Sequence, residues 1–391
     1  MALTAVCAVI GALFATPLVY LAWRTATGDE ALVQLYTSST TLVPLRNTLG
    51  LATATAASTS VVGTGLAWLV TRTDLPLRRL WAALAALPLV FPSFVGALAL
   101  TAALSPGGLL DDPLGWIGVD PARPEGFWGA WLVLTLFTTP YVLLPVGARL
   151  AALPPSLEES ARLLGRRPFA VFRTVVLPQI RGAIGAGALL VFLYAMSDFG
   201  VVVLLRYDTL TRVIYTNWLS RTDRSVALSL LLAILALAVV AGERTLARRH
   251  PTVEGVRAKR PLQVPLGRWR WPALAVVVGW VAVALGGPLA SLGLWAWRGL
   301  TGQTSSLAGG DRGLGDLVDP ALNPVGIGLV TAAVAVAALL PLAYLSARHQ
   351  ARAGDLANGL VASGFALPGL VIALAVVFWS RPLPEAWGLY Q

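Results

Sequence analysis

Lysine is almost missing from this chain: Lys259 is the only one, although lysine and arginine together number 29. It follows Ala258 with no glycine-rich loop ahead of it, so no phosphate-cradling loop can be built here. The chain holds no nucleotide-driven motor of its own. Cysteine is as scarce, since Cys7 stands alone in the first apolar run and can make no internal disulfide framework. The two histidines, His250 and His349, lie far apart in polar loops, which gives no support to a metal site of His and Cys ligands. No histidine falls inside an apolar run, so an intramembrane hydrolase built on a Ser-His pair is excluded as well. Charge of either sign is thin, at 12% of residues against a hydrophobic share of 57%. That balance lies far outside soluble domains, and repeated apolar runs of about twenty residues indicate a polytopic membrane protein.

About nine spans are expected: 3–23, Asn47–Val70, Leu80–Leu104, Phe127–Ala148, Ala183–Leu205, Val226–Ala241, Trp271–Trp295, Val325–Leu345 and Leu356–Trp379. No basic residue precedes the first, so it reads as a retained helix and not a cleaved signal. Alternating the loops between two faces puts about nineteen arginine and lysine residues on one face and about ten on the other. The richer face is cytoplasmic by the positive-inside rule, which also puts the N-terminus there. Twelve of the 19 acidic residues, among them Asp29, Asp111, Asp208 and Glu385, fall on the opposite face. The net charge of +10 therefore follows membrane topology, and nucleic acid is not expected as a partner.

One cytoplasmic loop stands out, Pro155 to Pro178, the long polar and arginine-bearing interruption of the first half. Ser156 stands three residues before Glu159, the spacing of a capping box, and predicts a helix start. Gly165 supplies the left-handed residue that ends a helix, and Pro168 fits the first position of a second one, expected to stop near Pro178. Leu157, Ala161 and Leu164 predict an apolar face on the first helix; Phe169, Phe172 and Val176 predict one on the second.

Glu159, Ser160, Ala161, Gly165, Val175, Leu177 and Pro178 resemble, in type and spacing, the EAA loop of ABC-importer permeases. Ser160 departs from the family's first alanine, a small-for-small change. The resemblance implies an all-α, MetI-like fold in a bacterial plasma membrane, with this loop as the coupling helix. It implies two copies of a separate ATPase subunit as partners, with ATP and Mg bound there and no cofactor on this chain. A periplasmic or lipid-anchored substrate-binding protein is the further partner implied, beside membrane lipid.

Shifting the sequence by 276 positions brings Asn47 onto Asn323, Gly50 onto Gly326, Arg72 onto Arg348 and Pro92 onto Pro368. Spans two and three thus recur as eight and nine, and seven repeats one. Six spans separate equivalent points, so the two halves share one orientation as a parallel repeat. The expected division is a first half over 1–244, a basic cytoplasmic linker over 245–270, and an incomplete second half over 271–391. The linker, with Pro251, Pro261 and Pro265, reads either as lying along anionic headgroups or as a solvated connector. The counterpart of Glu159 would fall near position 435, past Gln391, which suggests a shortened copy of a two-times-six-helix permease.

The stretch Ser197-Asp198-Phe199-Gly200, with the residues from Leu204 to Tyr215, is similar to fused two-half permeases for ferric iron. Thiamine, polyamine, sulfate and phosphonate permeases share the coupling loop and remain open alternatives. Asp198 is an acidic residue within an expected span, which makes it a candidate pathway residue or a carboxylate paired with a neighbouring hydroxyl. Tyr207, Asp208, Arg212 and Tyr215 are candidate contacts for the binding protein on the outer side. A secondary transporter is the rival reading; it needs buried relays or broken helices, and apart from Asp198 the sequence displays neither.

Overall fold

The computed structural model describes residues 2–28, 32–116, 124–218, 220–247, 263–301, 318–349 and 369–380. These residues are almost wholly helical. In chain order the helices are α1 (Ala2–Thr27), α2 (Leu32–Thr37), α3 (Ser39–Arg72), α4 (Arg78–Ala86), α5 (Ser93–Ala103), α6 (Asp111–Trp116), α7 (Phe127–Thr138) and α8 (Pro140–Ala152). Then come α9 (Pro155–Leu163), α10 (Pro168–Val171), α11 (Leu177–Ser197), α12 (Gly200–Leu204), α13 (Leu210–Asn217) and α14 (Thr222–Ala247). The last four are α15 (Arg270–Val281), α16 (Gly287–Leu300), α17 (Val318–His349) and α18 (Gly369–Ser380).

Among the described residues five helices are long and apolar enough to cross a membrane, and a bent pair makes a sixth. The sequence alone suggested about nine. α1, α3 and α18 stand outside the count. α3 has the length, at 34 residues, but eleven of its residues are serine or threonine. Buried threonines there return their hydroxyls to the helix itself, Thr48 to Pro44 O at 2.8 Å and Thr59 to Thr55 O at 2.8 Å. α18 has 12 residues, and 356–368 of the ninth expected span lie outside the described residues.

The third expected span, Leu80–Leu104, is not one helix. Segments Arg78–Val90 and Ser93–Ala103 meet at 96°. The cause is Pro92: its ring drives Phe91 into an extended conformation, φ −83° and ψ 128°, and the helix cannot continue. The fifth expected span ends earlier than Leu205, at Ser197, where Asp198 turns extended with φ −64° and ψ 130°. Prolines elsewhere are absorbed. A π-helical turn, Phe172–Val176, precedes Pro178, and another, Ala282–Gly286, precedes Pro288, so the widened backbone carries each helix past its proline.

Two compact units emerge. The larger takes 30–228 and 238–297, the smaller 1–29, 229–237 and 298–391. Within the smaller, α1 packs against α17 and α18. Within the larger, α3, α8 and α11 pack on one another around Leu66, Val70, Val142, Val146, Leu150 and Ile180, joined by Val277 and Val281 of α15. Small residues let the backbones approach. A methyl added at Gly187 of α11 would sit 2.7 Å from Tyr141 O and 2.8 Å from Val142 Cα, so only glycine fits there.

Candidate functional site

The loop from Pro155 to Pro178 is built from α9, a tight turn and α10. α9 begins two residues earlier than the capping-box spacing suggests. Pro155 takes the first helical position, Pro154 is the N-cap, and no side chain caps the helix. Ser156 is therefore inside the helix, where its carbonyl accepts from Ser160 Oγ at 2.8 Å. The box fails because proline's fixed φ starts the helix ahead of the serine. The turn is as expected. Gly165 has φ +78°, its N–H donates to Arg162 O at 2.9 Å, and Arg166 N–H donates to Ala161 O at 3.2 Å, a Schellman closure. Pro168 begins α10, but the chain does not stop at Pro178; through the π turn it runs on into α11.

The apolar faces divide differently from the helical spacing. Ala161 is buried, whereas Leu163 and Leu164 are 89% and 82% exposed; the side chain of Leu157 lies outside the described residues. Phe169 joins them at 75% exposed, while Phe172 turns inward to Trp68, ring centroids 6.4 Å apart, and Val176 is buried. Leu164 is the C-cap, with ψ 11°, so it leaves the helical register and falls beside Leu163. The π turn shifts the register of Phe172 and Val176 in the same way. Leu163, Leu164 and Phe169 thus present exposed apolar side chains on either side of the turn at Gly165.

Glu159 and Ser160 are exposed, and so are Leu177 and Pro178. The neighbouring Glu158 is the buried one. It pairs with Arg72 of α3, whose Nη1 also donates to Leu150 O at 3.1 Å. Neither Glu158 nor Arg72 was singled out by the sequence, although Arg72 was one of the residues recurring at the 276-residue shift. A cavity of about 720 Å³ opens beside this pair, lined by Thr64, Trp68, Arg72, Glu158, Arg162 and Phe172 among others. Its lining is mostly apolar, with Arg72, Glu158 and Arg162 as the charged members.

Asp198 lies at the junction of α11 and α12, 8% exposed. Its carboxylate accepts from the Ser93 hydroxyl and, at 2.9 Å, from the Val201 N–H, while its carbonyl accepts from Thr211 Oγ1 at 2.8 Å. It therefore binds the break at Pro92 to the break after Ser197. A broken, carboxylate-pinned span exists here after all, a feature that the sequence did not display.

The turn before α13 is fastened to α3: Asn47 Nδ2 donates to Asp208 O and the Leu210 N–H to Thr48 Oγ1, both at 2.9 Å. Asp208 is exposed and pairs with Arg212, one helical turn on; Tyr215 is exposed and packs on Phe199 at 4.7 Å. Tyr207 packs edge-on against Phe127 at 5.9 Å. Burial holds the Tyr207 phenol above its usual pKa, with the Arg46 charge opposing in part, so it stays a neutral donor. The structure brings Asp208 and Arg212 together, with Tyr207 next to Asp208 in the same turn.

Residues 60–249, which include α9, α11 and Asp198, match the family model for the binding-protein-dependent transport system inner membrane component. The molybdenum transport system permease protein ModB of Azotobacter vinelandii is 32% identical over 164 residues, which span 42% of this chain and 72% of that protein. This chain belongs to that family. As an ABC-importer permease subunit it is a non-catalytic, multi-pass membrane component whose transport depends on a binding protein. Over its whole length the permease is 28% identical to the Fe(3+)-transport system permease protein FbpB 2 of Haemophilus influenzae, covering 73% of that protein. The sulfate permease CysT of Synechococcus elongatus is 32% identical over 172 residues, 44% of this chain and 61% of that one. A bacterial alginate ABC transporter solved with its periplasmic protein shares the fold, with TM-score 0.50 and 21% identity over 61% of this chain and 90% of that one.

Proposed function

We propose that this permease carries ferric iron into the cytoplasm from an external binding protein, driven by two copies of a separate ATPase. One observation carries the energetic half: the exposed patch of Leu163, Leu164 and Phe169 beside the left-handed turn at Gly165, with Glu159 exposed next to it. Large apolar side chains at such exposure on a charged cytoplasmic loop favour a protein partner. When the ATPase subunits close on ATP they draw the Pro155–Pro178 loop inward and rock the helical bundles, and the binding protein releases its cargo to the outward-open state. Glu159, Ser160, Gly165, Leu177 and Pro178 form the ATPase-facing element in this reading, with Ala161 buried behind them. Asp208, Arg212, Tyr207 and Tyr215 form the contact for the binding protein, and Asp198 stands where the pathway helices break.

The iron assignment rests on the similarity to the ferric permease extending over 100% of this chain, whereas that to the sulfate and molybdenum permeases extends over 44% and 42%. An oxyanion cargo is the second reading, favoured by the higher identity, 32%, of those shorter matches. Uptake of radioactive iron and of sulfate and molybdate, measured in vesicles holding the permease, an ATPase and each binding protein in turn, separates them. Iron-only uptake that stops on ATP depletion and survives a protonophore is the expected result. Oxyanion uptake with no iron uptake overturns the cargo, and protonophore-sensitive uptake overturns the ATP drive.

A further inference from the structure

Beside the exposed coupling patch lies a buried ion pair that the mechanism above does not use. Arg72 ends α3 and is 1% exposed; Glu158, 86 residues later, lies in the first turn of α9 and is 4% exposed. The guanidinium is split between two elements. Nη2 donates to Glu158 Oε1, and Nη1 donates to Leu150 O, one of the terminal carbonyls of α8, at 3.1 Å. The backbone beside it is tied to the segment that leads into α15: Val264 N–H donates to Arg72 O at 2.8 Å, Thr73 and Val264 form a parallel bridge, and Leu266 N–H donates to Asp74 Oδ1 at 2.9 Å. The ends of α3 and α8, the start of α9 and the entry to α15 therefore meet at one residue.

Desolvating two charges consumes most of what their attraction returns, so such a pair is a poor device for stability alone. What it fixes is direction, because the planar fork of arginine has donors at set angles and does not slide as apolar contacts do. Consecutive residues on a helix point about 100° apart, so Glu158 can face α3 while Glu159 faces outward. One carboxylate is held within the permease and its neighbour stays free.

We propose that Arg72 is a positioning residue for transport: through Glu158 it ties α9 to the inner end of α3, so that displacement of the coupling loop moves α3 instead of being taken up between them. This rests on the docking of an ATPase at the loop, and two readouts keep the ideas separable. The first needs no ATPase: backbone amide exchange over 155–165 of the full chain in lipid nanodiscs. Glu158→Gln removes the charge and keeps the shape, and should speed exchange in α9 at least tenfold with α13 unchanged. Arg72→Lys keeps the charge and loses the fork, and should do the same. The second readout is ATP hydrolysed per substrate imported, with ATPase and binding protein added. It should rise at least fivefold in both variants while the ATPase still copurifies, and Glu158→Asp, which keeps the pair, should return both readouts toward the parent. Parental exchange and parental stoichiometry in Glu158→Gln overturn the proposal, as does loss of ATPase binding in all three variants with parental α9 exchange. A parent chain that binds no ATPase sinks the docking reading, and amide exchange still decides on the pair.

Discussion

Shaving the exposed patch beside Gly165, proposed above to meet the ATPase, gives the sharpest quantitative expectation. In the permease alone Leu163 and Leu164 are 89% and 82% exposed, so truncating either costs the free chain little, within about 0.5 kcal/mol. Their value lies in the complex. Leucine to alanine removes three carbons, and at about 0.8 kcal/mol for each buried one the loss on docking is about 2 kcal/mol, or ~30-fold in Kd. Titrating a labelled ATPase subunit against the permease in nanodiscs reads that change directly, with thermal unfolding of the free permease as the control. Leu164→Ala should weaken binding by one to two orders of magnitude at unchanged unfolding temperature. A Kd within about twofold of the parent for both Leu163→Ala and Leu164→Ala would show that the patch is not where the partner sits.

Other expectations concern the framework. Gly165→Ala puts a Cβ at φ +78°, into open space, so its cost is torsional only, about 1 kcal/mol, and Gly165→Asn should lose less; equal losses for the two would contradict the left-handed turn. Gly187→Val pushes side-chain atoms onto Tyr141 O and Val142 and should cost about 1–3 kcal/mol in unfolding free energy, whereas Gly185→Ala, with nothing within 4 Å, should be neutral. Asp198→Ala strands the Ser93 hydroxyl and the Val201 N–H and should cost about 1–3 kcal/mol, while Asp198→Asn keeps an acceptor and should cost less than half of that. Denaturant titration of both checks it, and equal losses would remove the carboxylate from its capping role.

Much of this was written locally in the sequence. The glycine at 165 announces its turn because only a residue without Cβ rests easily at positive φ, and the continuous apolar runs announce helices because a helix satisfies a run's backbone groups within the run itself. What failed to show is what depends on competition between neighbours or on distance along the chain. Ser156 has the right spacing for a cap, yet Pro155 starts the helix ahead of it. Pro92 breaks its span where Pro178 does not, because a π turn accommodates the second and none precedes the first. Leu163 and Leu164 fall together only because the last turn of α9 leaves helical geometry. The Arg72–Glu158 pair joins residues 86 apart, and no periodicity within α3 or α9 could mark it. The sequence marked Glu159, which is exposed; it did not mark the buried neighbour, Glu158.

Site-specific photocross-linking from position 164 tests the central claim most directly. With a photoreactive residue at Leu164, in membranes that hold the binding protein and the ATPase, the account predicts an adduct to the ATPase subunit alone, formed from the cytoplasmic side. An adduct to the binding protein, or labelling of the same position by an impermeant reagent added outside, would contradict it.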